Sequence, residues 1–371
     1  MKENTKKFIL ATSTLAGTII GVGFFSLPQL TNKVGLGIML GYFVILGGLT
    51  LLIHIIFGEV ALATPDFLRL PGYAKIHLGT KGKSVALITM ILGTYGSILA
   101  YLIIGGKFLA GLGLPLIGSN ELLATLLYFA VGAILIYLGI NPIAKIDFWS
   151  LIIIILIFGA IFVSSSSGFK IENLFTKTDF SKIFLPYGPI LFSLWGASMI
   201  PEIEEMLGKN KKTLKKVIIA SLIFTAVAYF AFIFLVLGIS GSKTSSDAIS
   251  GLKGFISNKV LGLGLGLGLM TTFTSFIALG LTIKKVFAYD LKIKPTAAFV
   301  LSCSVPLILF LLGFQDFLKV IGFVGGIMLG MEGILILLMY KKIKPGKMAL
   351  VYPLILVFLG GILYEITSFL K

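Results

Sequence analysis

The residues in this chain that could do polar chemistry are few, and most of them sit inside apolar runs. The segment GTIIGVGFFSLP, residues 17–28, places Gly17, Gly21, Gly23 and then Pro28 in an otherwise apolar stretch. A second segment, residues 184–207, reads FLPYGPILFSLWGASMIPEIEEML and is interrupted by Pro186, Gly188, Pro189, Gly196 and Pro201. Glycine and proline weaken a helix, and peptide groups left unpaired in lipid are tolerated only where they are buried in protein or line a cavity. The chemistry on offer is therefore that of the backbone itself. A half-helix N-terminus presents partial positive charge to a carboxylate, and freed carbonyls accept an ammonium or a cation. Gly21 and Gly23 also let a ligand approach the main chain closely.

Polar side chains add a second, sparser set. In MTTFTSFIALG, residues 270–280, Thr271, Thr274 and Ser275 share one helical face. Such oxygens suit a hard cation, and equally suit ordinary hydrogen bonding within a membrane bundle. Glu59, Glu202 and Glu332 fall within or near the ends of apolar runs, where a carboxylate is costly and marks function by default. Glu59 and Glu202 read either as a gate pair at the inner mouth or as groups reaching interfacial water and nearby lysines. His54 lies in an apolar run with no acidic neighbour at helical spacing, which favours a packing role over a proton relay. The repeat LGLGLGLG, residues 261–268, lacks the strand-to-helix context of a phosphate loop, so its glycines read as a packing stripe. Two histidines and one cysteine exclude the usual metal ligand sets, and with them a metalloenzyme. No resident cofactor or metal is expected.

The elements that must position these residues follow from composition. The 371 residues are 57% hydrophobic and 12% charged, against roughly 25% charged in a soluble domain. Apolar runs of spanning length recur throughout, at 8–31, 36–63, 84–111, 120–140, 145–167, 183–207, 214–240, 258–290, 294–313, 316–341 and 347–369. They are continuous, not short and alternating, which excludes a transmembrane β-barrel. The fold class expected is an all-α polytopic membrane protein of eleven spans in a single domain. The first apolar run is too long for a signal-peptide core and lacks a small-residue cleavage site. Cys303 is alone, so a disulfide framework is excluded.

A formal net charge of +16 invites a nucleic-acid reading, but 30 of the 31 basic residues are lysines set in short loops between apolar runs. With the N-terminus inside, 21 of the 31 fall on the inner side. This bias predicts a cytoplasmic N-terminus and, with eleven spans, a C-terminus outside. No nucleic-acid partner is expected; the partners are the bilayer and a small molecule.

The two interrupted spans are the first and the sixth, and each opens a group of five. Weakened segments at matching positions of two halves point to an inverted-repeat transporter and to its binding site. Repeat one is expected over about 8–167 and repeat two over about 183–341. The span at 347–369 stands outside the repeat.

On these residues the chain resembles the amino acid–polyamine–organocation superfamily, whose members share the leucine-transporter fold. GVGFFSLP, residues 21–28, is similar to its first-helix signature, and LFSLWGAS, residues 191–198, to its sixth-helix break. IPEIEEM, residues 200–206, with eleven spans, looks most like the amino acid/auxin permease and tryptophan/tyrosine permease branches. The resemblance implies that a substrate carboxylate meets the backbone at Gly21, Val22 and Gly23. The ammonium would meet the region of Phe192, Ser193, Trp195 and Gly196. Thr18 either adds a hydroxyl or bonds back to its own helix. In sodium-coupled relatives, carbonyls matching Gly17 and Ile20 join hydroxyls matching Thr271, Thr274 and Ser275 around the ion. Some proton-coupled relatives place a lysine in span five, where this chain has none. The coupling ion is sodium or a proton, with ligand chemistry favouring sodium.

The function implied is secondary active, cation-coupled uptake of a neutral L-amino acid by alternating access across a prokaryotic cell membrane. A transport-inactive amino acid sensor or a channel of the same fold is the alternative.

Overall fold

The computed structural model describes residues 3–65, 67–115, 118–139, 145–165, 168–175, 177–208 and 210–370. Lys2 and Lys209, two of the lysines used to orient the chain, lie outside these residues. Helix α1 (Glu3–Ile19) is followed by a 3-10 turn (Val22–Ser26) and α2 (Leu27–Val34). Then come α3 (Leu36–Ala63), α4 (Leu70–Gly111), α5 (Glu121–Leu138) and α6 (Lys145–Ser165). Short helices α7 (Tyr187–Leu194) and α8 (Ile200–Leu207) precede α9 (Lys211–Ser240) and α10 (Asn258–Lys285). The chain closes with α11 (Pro295–Leu311), α12 (Phe317–Phe323), a π-helical stretch (Val324–Leu329), α13 (Gly330–Ile343) and α14 (Met348–Phe369).

Among the described residues, seven helices are long and apolar enough to cross a membrane, or eight if the bent pair of α1 and α2 counts as one span. The described secondary structure is helical, with one isolated bridge between Lys253 and Ile256. Helix starts follow local chemistry. Asn120, Asn210, Ser257 and Asp316 each accept a backbone N–H three residues on, a cap whose loss costs about 1 kcal/mol. Pro28, Pro71 and Pro201 sit in the first turns of α2, α4 and α8, where a missing N–H costs nothing.

One expectation is corrected in detail. Residues 69–83 were expected as an inner connection before a span at 84–111. They are helical and belong to α4, which bends at Gly79 (φ 75°, ψ −166°). The lysines that read as loop charge there lie in helical segments, because Pro71 starts a short helix and Gly79, at a positive φ that glycine favours, separates it from the long run that follows.

Helix α4 is the central post, packed against α5, α10, α11, α12 and α13. Helices α1 and α9 pack together, and α3 packs on α7, α8, α9 and α13. In the LGLGLGLG stripe, Gly268 faces Phe108 so closely that a Cβ would lie 2.6 Å from its ring, whereas Gly262 and Gly266 face open space. The packing role therefore falls on one side of the stripe only.

Candidate functional site

The first break begins where α1 loses its ladder. The Ile20 N–H still reaches the Ala16 carbonyl at 2.9 Å, but the Gly21 N–H turns to the Ile19 carbonyl at 2.8 Å. The chain then changes direction by 52° across residues 20 and 21. Gly21 adopts φ −98°, ψ −158°, extended backbone open to any residue, so glycine is required here for space and not for conformation. A Cβ on Gly21 would sit 2.6 Å from the Tyr101 hydroxyl oxygen. That same oxygen accepts the Val22 N–H at 3.2 Å.

The second break has the same logic. Helix α7 ends at Leu194, Trp195 is extended (φ −81°, ψ 123°), and a 3-10 turn over Ala197–Met199 leads into α8. The Gly196 N–H, released from any helix, is accepted by His54 Nε2 at 2.9 Å. The Trp195 indole N–H is accepted by Glu332 Oε2 of α13 at 3.1 Å, and its ring centroid lies 5.7 Å from that of His54.

The two breaks meet. The Tyr229 hydroxyl of α9 lies 2.9 Å from the Ile19 carbonyl and 2.7 Å from the Ser193 carbonyl. One phenolic proton is thus shared between the carbonyl ends of the two interrupted helices. A Cβ on Gly23 would lie 2.5 Å from Ser193 Oγ and 2.8 Å from the Phe192 ring, and one on Gly196 would lie 2.6 Å from the Ile19 side chain. Gly23 and Gly196 are the points at which the two segments approach each other.

The Val22 and Gly196 N–H groups and the Ile19 and Ser193 carbonyls each find a partner on another helix. Tyr101 comes from α4, His54 from α3 and Tyr229 from α9, and all three are buried. A buried peptide group without a partner costs about 1–3 kcal/mol, so these three side chains make the interruptions tolerable.

The other residues singled out in the sequence are placed as follows. Thr18 Oγ1 donates to the Thr14 carbonyl at 2.9 Å, and Ser193 Oγ to the Pro189 carbonyl at 2.7 Å. Both are back-bonds within their own helices; each oxygen keeps lone pairs to offer. Thr271 donates to the Leu267 and Gly268 carbonyls and Thr274 to the Thr271 carbonyl, all within α10. Gly17, Ile20 and Ser275 are half-buried. Helix α10 packs chiefly on α4, α5, α6 and α11. Glu59 Oε2 receives Lys344 Nζ at 2.5 Å, an ion pair joining α3 to the end of α13. Glu202 lies half-buried in the opposing field of Arg69. Among the described residues no group of three histidine, cysteine or acidic side chains is arranged to hold a metal.

The sequence alone singles out neither Tyr229 nor Tyr101 for the site and favours a packing role for His54. The available signal was chemical: a tyrosine hydroxyl or imidazole deep in an apolar run needs a partner, and the freed peptide groups were the partners waiting.

A solved structure of Mhp1, a nucleobase-cation-symport-1 family transporter in a closed conformation with bromovinylhydantoin bound, superposes with a TM-score of 0.66. It is 14% identical, and the match covers 98% of this chain and 93% of that one, which shows a shared transporter fold. The tyrosine-specific transport system 1 of Haemophilus influenzae is 23% identical over 248 residues. That match spans 67% of this chain and 61% of the relative's length. These relatives are transporters, not enzymes. The profile of the tryptophan/tyrosine permease family matches residues 4–366, and the chain belongs to that family of amino acid permeases.

Proposed function

We propose that this protein is a secondary transporter that takes up an aromatic L-amino acid, tyrosine or tryptophan, by alternating access. The observation that carries the reading is the meeting of the two breaks at the Tyr229 hydroxyl, 2.9 Å from the Ile19 carbonyl and 2.7 Å from the Ser193 carbonyl. A zwitterion needs a donor cluster for its carboxylate and an acceptor cluster for its ammonium, and broken helices near the bilayer midplane supply both. The N–H groups at Gly21, Val22 and Gly23 are the candidate carboxylate donors. The carbonyls of Ile19 and Ser193 are candidate ammonium acceptors, with Thr18 and Phe192 beside them and Trp195 and Gly196 closing the second break. The aromatic preference is supported by the family and by the substrate in the relative's name.

In this reading there are eleven spans: two inverted groups of five, over about 8–167 and 183–341, and an added span at 347–369. The N-terminus is cytoplasmic and the C-terminus outside, as the lysine distribution favours. Uptake is coupled to a cation. Sodium would be held by the Gly17 and Ile20 carbonyls with Thr271, Thr274 and Ser275, whose oxygens have lone pairs to give. Glu59 and Glu202 lie toward the inner end, where Glu59 with Lys344 forms the candidate inner gate.

Uptake of radiolabelled tyrosine into proteoliposomes, competed with each of the other amino acids, tests the substrate class. The same assay with choline replacing sodium at fixed pH, and separately with a protonophore, tests coupling. Absence of saturable uptake of any aromatic amino acid would overturn the reading.

A further inference from the structure

Helix α14 stands outside the internal repeat, yet it carries the buried carboxyl Glu365, only 8% exposed. Three glycines on three other elements make room for it. A Cβ at Gly188 of α7 would lie 2.5 Å from Glu365 Oε1, one at Gly322 of α12 would lie 3.3 Å from Oε2, and one at Gly326 of the π-helical stretch would lie 2.1 Å from Cγ. The interlock is reciprocal. Gly361, one helical turn before Glu365 on the same face of α14, receives the ring of Tyr187: a Cβ there would lie 1.9 Å from Tyr187 Cζ.

These contacts sit at the first turn of α7, the half-helix whose far end is the break at Trp195. The main chains of α7 and the π-helical stretch touch as well, since a Cβ on Gly325 would lie 1.9 Å from the Gly188 carbonyl oxygen. In lipid no hydrophobic force drives helices together, so close glycine packing and interhelical hydrogen bonds must hold such a joint. A carboxyl is an expensive way to fill a gap, and three positions are kept clear of side chains to admit it.

We propose that Glu365 is a positioning residue for transport. It pins the first turn of α7 to the α12–α13 segment, and through the short rigid body of α7 it fixes where the Ser193 carbonyl and the Trp195 break stand. Helix α14 is then a working part of the substrate site and not an appendage. This inference rests on the proposed reading of the breaks as the substrate site.

The test is a double-mutant cycle on tyrosine uptake by the full-length protein in proteoliposomes. Glu365→Ala empties the cradle, and Gly326→Ala puts a methyl where the Glu365 stem lies. Each is expected to raise KM about tenfold with a smaller change in maximal rate. The double variant is expected to resemble either single, because the added methyl occupies the vacated space. Glu365→Gln, which keeps the size and an acceptor oxygen, should hold KM within twofold of wild type. A wild-type KM in Glu365→Ala, or single effects that multiply in the double variant, would overturn the proposal. Should Glu365→Ala fail to insert, Gly326→Ala and Gly361→Ala carry the test, and an unchanged KM in both overturns it. If the wild type takes up no aromatic amino acid, the transport reading fails separately. The joint is then read from the same cycle on melting temperature, where strict additivity overturns it.

Discussion

His54 Nε2 accepts the backbone N–H of Gly196 at 2.9 Å. An imidazole nitrogen that accepts carries no proton, so His54 is neutral and its proton resides on Nδ1. The histidine thus serves as a cap for the second break: α3 lends an acceptor to a peptide group that helix geometry has abandoned. Replacing His54 with leucine should leave the Gly196 N–H buried and unpaired, at about 1–3 kcal/mol. Uptake should fall at least tenfold, with a lower melting temperature. His54→Gln, whose amide oxygen can accept, should keep more of both, and equal losses in the two variants would refute the cap.

Tyr229 is the second test. Its hydroxyl serves the carbonyls of Ile19 and Ser193, so Tyr229→Phe takes this donor from the Ser193 carbonyl and leaves the Ile19 carbonyl with only the Gly21 N–H, with almost no change in volume. Uptake is expected to drop about tenfold or more, which corresponds to about 1.4 kcal/mol. Rates within twofold of wild type would separate this tyrosine from the site.

At Gly21 the constraint is steric. The backbone conformation there suits any residue, but a Cβ would meet the Tyr101 hydroxyl at 2.6 Å. Gly21→Leu should therefore insert normally and bind no tyrosine, as read by thermal shift in the presence of ligand. Tyr101→Phe frees the Val22 N–H from its present acceptor and should alter tyrosine affinity without abolishing insertion. A ligand-induced shift equal to wild type in Gly21→Leu would count against the first break as the carboxylate site.

The ion pair of Glu59 with Lys344 predicts a pH dependence. The hydrogen bond to Glu59 holds the Lys344 ammonium above its ordinary pKa of 10.5. A raised folded-state pKa means that the stabilisation is fully present below the unfolded value and disappears as pH rises through the folded one. Because Lys344 is 40% exposed, the pair should be worth no more than about 1 kcal/mol. Lys344→Met should thus melt slightly below wild type at pH 7.5. The two should converge above the raised lysine pKa, and a gap that persisted there would assign the effect to packing. The charge-swapped double variant Glu59→Lys with Lys344→Glu should recover part of the pH 7.5 difference.

What was legible in the sequence is what depends on local composition. Apolar runs of spanning length, lysines in the short connections, and glycine with proline at 17–28 and 184–207 dictated a helical membrane protein with two weakened segments. The bulk solvent acts on each run independently, so no partner need be known. Family membership was equally legible, because GVGFFSLP and LFSLWGAS are contiguous.

Tertiary structure decided who answers the freed peptide groups. Tyr101, Tyr229 and His54 lie 79, 210 and 142 positions from the groups they serve at Val22, Ile19 and Gly196. Their run-by-run context is merely apolar. The same holds for Glu365, whose setting comes from glycines 39 to 177 positions earlier in the chain. A hydrogen bond has no sequence periodicity when its donor and acceptor sit on different helices; only the packing of α3, α4, α9 and α14 around the two breaks brings these atoms within reach.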